Sequence, residues 1–134
     1  MPAGYSGTPL ARKLGFTDGL AVWARGLPQS VRDEIETAAC PHYLARPGKA
    51  PEAAILFHTG AAKLAKDLER LRPILASAGM VWVCWPKKAA KVATDITEDE
   101  IRGIALPMGL VDVKVCAVDT VWSGLKLVIR RDLR

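Results

Sequence analysis

Apolar positions along the chain fall into short blocks, and the spacing inside each block predicts its element. "LAVWA", Leu20 to Ala24, is a continuous apolar run behind the Asp18–Gly19 turn and reads as a buried strand. A helix is expected from about Pro28 to Ala39, because Leu27, Val31 and Ile35 recur every four residues. A short strand is expected in "HYLAR", and Pro47, Gly48 and Pro51 then break the chain. "AAILFH" is a second clear strand. Thr59 is expected to cap the helix that follows, where Leu64, Leu68, Leu71 and Leu75 form one stripe. Pro73 should kink or restart that helix, Gly79 should end it, and "MVWVCW" is a third buried strand.

The two ends follow the same logic. Residues 1–8 read as a turn-rich arm, with Thr8 as cap and Pro9 as first residue of a short helix that Gly15 closes. "PKKAAKVATD" is an exposed loop. Thr97 and Glu100 then form a capping box for a helix to about Leu106, closed by Pro107 and Gly109. "LVDVKVCAV" and "LKLVIRR" alternate apolar and polar residues and predict an antiparallel hairpin, with Asp119 to Gly124 as its loop. Strands alternating with helices imply right-handed crossovers and a parallel sheet. The expected architecture is a single α/β domain over 1–134, three-layered and Rossmann-like, with a mainly parallel sheet and an antiparallel C-terminal hairpin.

The segment "AAILFHTGAAKLAKDLERLRPILASAGMVWVCWPKK", the helix "ITEDEIRGIALPMGL" and the final hairpin resemble the second half of a class I methyltransferase. The resemblance implies a shortened version of that fold, without one helix–strand–helix portion between about Arg46 and Ala53. "AGYSGTPLARKLG", "WVCWPKKAAKVATDITED" and "GLVDVKVCAVDTVWSGLKLV" further resemble a family of small bacterial proteins of unknown function. That resemblance implies the truncated fold and no known activity.

Composition narrows the classes. Half of the 134 residues are hydrophobic and a quarter are charged, as in a globular domain. The longest strongly apolar run, "MVWVCW", is too short to cross a bilayer, and no secretory signal opens the sequence. Cys40, Cys84 and Cys116 lack metal-ligand spacing, and a sparse, odd set suggests a reducing cytoplasm. The net charge of +5 permits an anionic partner without requiring one. No recognition motif or basic helix face argues for nucleic acid, since Lys63, Lys66, Arg70 and Arg72 alternate with Asp67 and Glu69.

No bound cofactor is expected. A nucleotide or S-adenosylmethionine site after the first strand needs glycines, so that backbone N–H groups can approach the ligand. "ARGLPQS" has only Gly26, and Pro28 removes an N–H. The second strand ends in "LAR", where Arg46 replaces the acid that would hold ribose hydroxyls. The strand-end candidates for a small anionic ligand are Arg25, His58, Thr59, Gly60, Lys87 and Lys88. His58 has the chemistry of a general base, but no orienting partner can be named from sequence. Asp95 and Asp99 read as a charged helix start. Trp82 and Trp85 should point to opposite faces of their strand, one of them reaching the cleft or an interface. Trp122, in the expected hairpin loop, is the candidate for contact with a protein partner or a second copy. The leading expectation is a non-catalytic methyltransferase-like interaction module. The alternatives are an enzyme or sensor using the basic strand ends for an anion, and a divergent methyltransferase.

Overall fold

The computed structural model describes residues 7–134. Most of the expected N-terminal arm, residues 1–6, lies outside the described residues. One six-stranded sheet runs through the domain in the order β2-β1-β3-β4-β6-β5. Its strands are β1 (Ala21–Arg25), β2 (His42–Leu44), β3 (Ala53–Phe57), β4 (Met80–Pro86), β5 (Leu110–Ala117) and β6 (Trp122–Ile129). The first four pair in parallel, and β6 lies antiparallel between β4 and β5. The expected three-layer α/β fold is therefore present, with its antiparallel hairpin at the C-terminal end. Between Leu44 and Ala53 the chain passes straight from the edge strand β2 to the inner strand β3 without another helix or strand.

Helices cover both faces. α1 (Leu10–Leu14) and α2 (Gln29–Glu36) place Leu10, Leu14, Val31 and Ile35 against Val22, Ile55, Trp82 and Cys84. α3 (Ala61–Leu71) and α4 (Glu98–Ala105) place Leu64, Leu68, Leu71 and Ile101 against Trp23, Leu56, Val81, Val83 and Trp85. β3 is buried at all five positions, as a parallel strand covered on both sides must be. Trp82 ties α1 to the sheet directly, its indole N–H donating to the Leu14 carbonyl at 2.9 Å.

Local departures from the expected pattern each have a cause. Pro9 is the cap of α1 rather than its first residue, and no side chain, Thr8 included, bonds to that helix end. Gly15 does end it, in the left-handed conformation. α2 stops at Glu36, three residues early, because Thr37 turns its hydroxyl back onto the Glu34 carbonyl at 2.7 Å. α3 ends at Leu71, two residues before Pro73, although Leu75 remains buried beyond it. The Thr97 hydroxyl accepts from Glu100 N at 3.1 Å, as the capping box requires.

The hairpin loop is tighter than expected. Asp119 accepts from both Val121 N and Trp122 N at 2.8 Å, so the chain re-enters the sheet at Trp122. Trp122 is thus a half-buried strand residue packed edge-on against Phe57, centroids 5.1 Å apart. This corrects the expectation of an exposed loop tryptophan. Trp82 and Trp85 do face opposite sides, but both are buried, so neither reaches a cleft or an interface. β5 forms the outer edge, where Val113 and Val115 are exposed and an irregularity between Asp112 and Lys114 interrupts the ladder. No helix of the described residues is long and apolar enough to cross a membrane.

Candidate functional site

The carboxyl ends of β1, β3 and β4 leave the sheet side by side, which is where open α/β sheets collect ligands. Arg25 pairs with Leu56 and Phe57 with Cys84. Arg25 and Gly26, then His58 to Gly60, then Lys87 and Lys88 accordingly occupy one end of the domain. The sequence expectation that these residues share a strand-end region agrees with the register.

The loop after β1 is closely fitted. Gly26 adopts φ +65°, and a Cβ there would stand 2.9 Å from the Phe57 carbonyl oxygen. Its lack of a side chain serves the packing of two strand ends. Pro28 caps α2 with no side-chain bond to the helix start. At the end of β2 the residues are Ala45 and Arg46, both exposed and neither acidic.

A cavity of about 350 Å³ lies between the ends of β1 and β2 and the first turns of α2. Ala24, Leu27, Gln29, Arg32, Tyr43 and Leu44 line it. The Arg32 guanidinium lies 4.6 Å from the Tyr43 ring centroid and bonds Glu36 at 2.8 Å. The Tyr43 hydroxyl is buried without a partner among the described residues. Burial raises its pKa, Glu36 adds to the rise and Arg32 opposes it. A cavity of similar size, about 360 Å³, lies at the opposite end of the strands beside Arg12, Gly15 and Ala39.

At the start of α3 the expected cap is replaced. Gly60 is the N-cap, and Thr59 offers only its backbone carbonyl, to Thr94 Oγ1 at 2.7 Å and Asp95 N at 3.3 Å. Asp95 caps the helix instead, its carboxylate accepting from Ala61 N at 2.7 Å. A ligand anion arriving there would meet a carboxylate already in place. Lys87 donates its backbone N–H to Val121 O at 2.6 Å, and Lys88 opens a single 3₁₀ turn with its side chain exposed.

His58 does have an orienting partner. Its Nε2 lies 2.6 Å from Asp67 Oδ2, and both side chains are about nine-tenths buried, at 10% and 8% exposure. The same oxygen accepts from Arg25 Nε at 3.3 Å. Asp67 was hidden in the sequence by its charged neighbours, yet it stands three residues after Leu64 and four before Leu71, on the apolar stripe. A charge at an inward-facing position was the available signal. Among the described residues no group of three or more His, Cys, Asp or Glu side chains is arranged to hold a metal ion.

No family model and no curated protein matches the chain. Solved structures do. A putative type 11 methyltransferase from Sulfolobus solfataricus superposes with a TM-score of 0.61 at 11% identity, over 87% of this chain and 86% of that one. The fold is methyltransferase-like. The ribosomal protein L11 methylase of Lactobacillus delbrueckii subsp. bulgaricus matches this methyltransferase-like domain at TM-score 0.57 and 9% identity, over 91% of this chain and 77% of that one. Magnesium protoporphyrin IX methyltransferase from Synechocystis PCC 6803, solved with bound S-adenosylmethionine, matches at 0.55 and 11%, over 90% and 74%. Against a pericyclic reaction enzyme the chain spans only 47% of that protein's length. At these identities the methyltransferase-like domain shares a fold with its neighbours, and activity must be argued from its own residues.

Proposed function

We propose that this methyltransferase-like domain is a non-catalytic binding module without the ordinary S-adenosylmethionine cradle. The observation that carries this reading is the β1–α2 loop, which has one glycine, placed where an added Cβ would stand 2.9 Å from Phe57 O, and then Pro28. A cofactor cradle needs free backbone N–H groups at that turn and an acid at the next strand end. The sequence blocks quoted above support membership of a family of small bacterial proteins with this shortened fold. Three free thiols suit a reducing cytoplasm. Titration calorimetry with S-adenosylmethionine at millimolar concentration should give no saturable heat, and a low-micromolar dissociation constant would overturn the reading.

A second reading, a divergent methyltransferase, is favoured by neighbours solved with the cofactor and by the cavity at the β1 and β2 ends. The unpartnered Tyr43 hydroxyl would then bond to the ligand. This reading predicts saturable S-adenosylmethionine binding that Tyr43→Phe weakens several-fold.

A further inference from the structure

One carboxylate in this domain serves an excess of positive charge. On α3, Lys63 and Arg70 stand one turn before and one turn after Asp67, at i−4 and i+3. Arg25 reaches the same carboxylate from β1 and His58 from the end of β3. Arg25 and Arg70 also converge on one ring: their guanidinium carbons lie 5.8 and 5.6 Å from the centroid of Trp23. Trp23 is fully buried, and its indole N–H has no partner among the described residues. Neither Lys63 nor Arg70 makes an ion pair among the described residues. Arg25 and His58 thus share a single buried acid, and Arg70 stands over the same ring as Arg25 without an acid bonded to it among the described residues.

The donors left over suit an anion. Arg25 uses only Nε on Asp67, so its two terminal nitrogens remain available. With Nε2 held by Asp67, His58 has Nδ1 to offer, and no group of the described residues bonds it. We propose that Arg25, His58 and Arg70 form a site for a phosphate-type dianion, as free phosphate or a small phosphomonoester. Guanidinium forks match phosphate geometry, and a dianion offsets the local excess of charge that Asp67 leaves. His58 Nδ1 then shares a hydrogen bond with a phosphate oxygen or its hydroxyl. The charged groups facing His58 are Asp67 from α3 and Arg25 from β1, while β4 offers only the Cys84 carbonyl to His58 N. Asp95, on the adjoining segment, is engaged at Ala61 N.

This site goes beyond the binding-module reading by naming a ligand class, and it rests on residues outside the cofactor cavity. The test is calorimetry on the full chain with inorganic phosphate and with AMP, at about 0.15 M salt and about pH 7. Saturable binding of both phosphates is expected. Arg25→Gln and Arg70→Gln should each weaken binding about tenfold or more. His58→Gln should weaken it several-fold by removing the Nδ1 contact. Circular dichroism confirms that each variant is folded. Similar binding of inorganic phosphate and AMP assigns the free anion, while preference for AMP assigns a phosphomonoester, and either supports the site. The proposal fails if no phosphate binds. It fails equally if Lys87→Glu, Lys88→Glu abolishes binding while Arg70→Gln does not, or if an oligonucleotide binds better than both phosphates and is released by salt. Absence of phosphate binding leaves the binding-module reading standing, whereas tight S-adenosylmethionine binding overturns that reading and leaves this site untouched.

Discussion

The carboxylate of Asp95 closes helix α3 from thirty-four residues away, 2.7 Å from the backbone nitrogen of Ala61. A loop of the C-terminal half thereby completes a helix of the N-terminal half. Asp95→Ala should cost about 1 kcal/mol, the usual value of a helix cap, and lower the melting temperature by about 3–5 °C. Asp95→Asn, which keeps an acceptor, should retain most of it. Differential scanning calorimetry of the two variants checks the order, and equal stability of Ala and wild type would remove the cap from the account.

Gly26 should resist substitution for a local reason. Its positive φ and the 2.9 Å approach of a Cβ to Phe57 O both oppose a side chain. Gly26→Ala is expected to destabilise by about 1–3 kcal/mol, against little effect at a solvent-facing loop residue. Urea unfolding midpoints measure this, and a neutral result would mean that the loop can move away from β3.

Trp122 is a packing residue at the mouth of the hairpin, so Trp122→Ala should cost about 2–3 kcal/mol, somewhat less than a fully buried tryptophan. Trp122→Phe should recover most of the loss by keeping an edge-to-face contact with Phe57. Fluorescence-monitored unfolding separates the two. A fully stable alanine variant would return Trp122 to the list of surface contact residues.

The three thiols should react in a fixed order. Cys40 is exposed, Cys116 is half-buried and Cys84 is buried. Burial raises the Cys84 pKa well above the ordinary thiol value and that of Cys116 less far, so both hold less thiolate at pH 8. With an aromatic disulfide reagent one fast phase, one slow phase and one released only by denaturant are expected. The sign for stability follows. The native state keeps a Cys84 proton that the unfolded chain surrenders above about pH 8.5. Stability should therefore decline as pH rises past that point. Fast labelling of Cys84 in the native protein would contradict the packing.

Elements set by near neighbours were legible in the chain. The Leu64–Leu68–Leu71 stripe, the Thr97–Glu100 box and Gly15 each work within one or two helical turns, and each is where the pattern places it. What escaped was set at a distance. Thr59 is the obvious cap by position, but Asp95 takes that role because the 92–96 segment folds back over the strand end. Asp67 looked like one charge among many on a solvated helix, and only the crossing of α3 over β1 and β3 brings Arg25 and His58 to it. The strand-end group was therefore foreseen as a set of residues, while the two acids that organise it were not.

The position of β6 bears on how the chain is made. β4 and β5 leave the ribosome before the strand that joins them, since Trp122–Ile129 lies between them in space and after both in sequence. Until β6 emerges, β4 presents an open flank in the middle of the future sheet, and β5 has no strand to pair with in its native place. The Val113–Lys114–Val115 edge is then free to pair with whatever strand is nearest. The irregularity at Asp112 and Lys114, which makes that edge a poor template, guards the nascent chain during this interval as well as the finished domain.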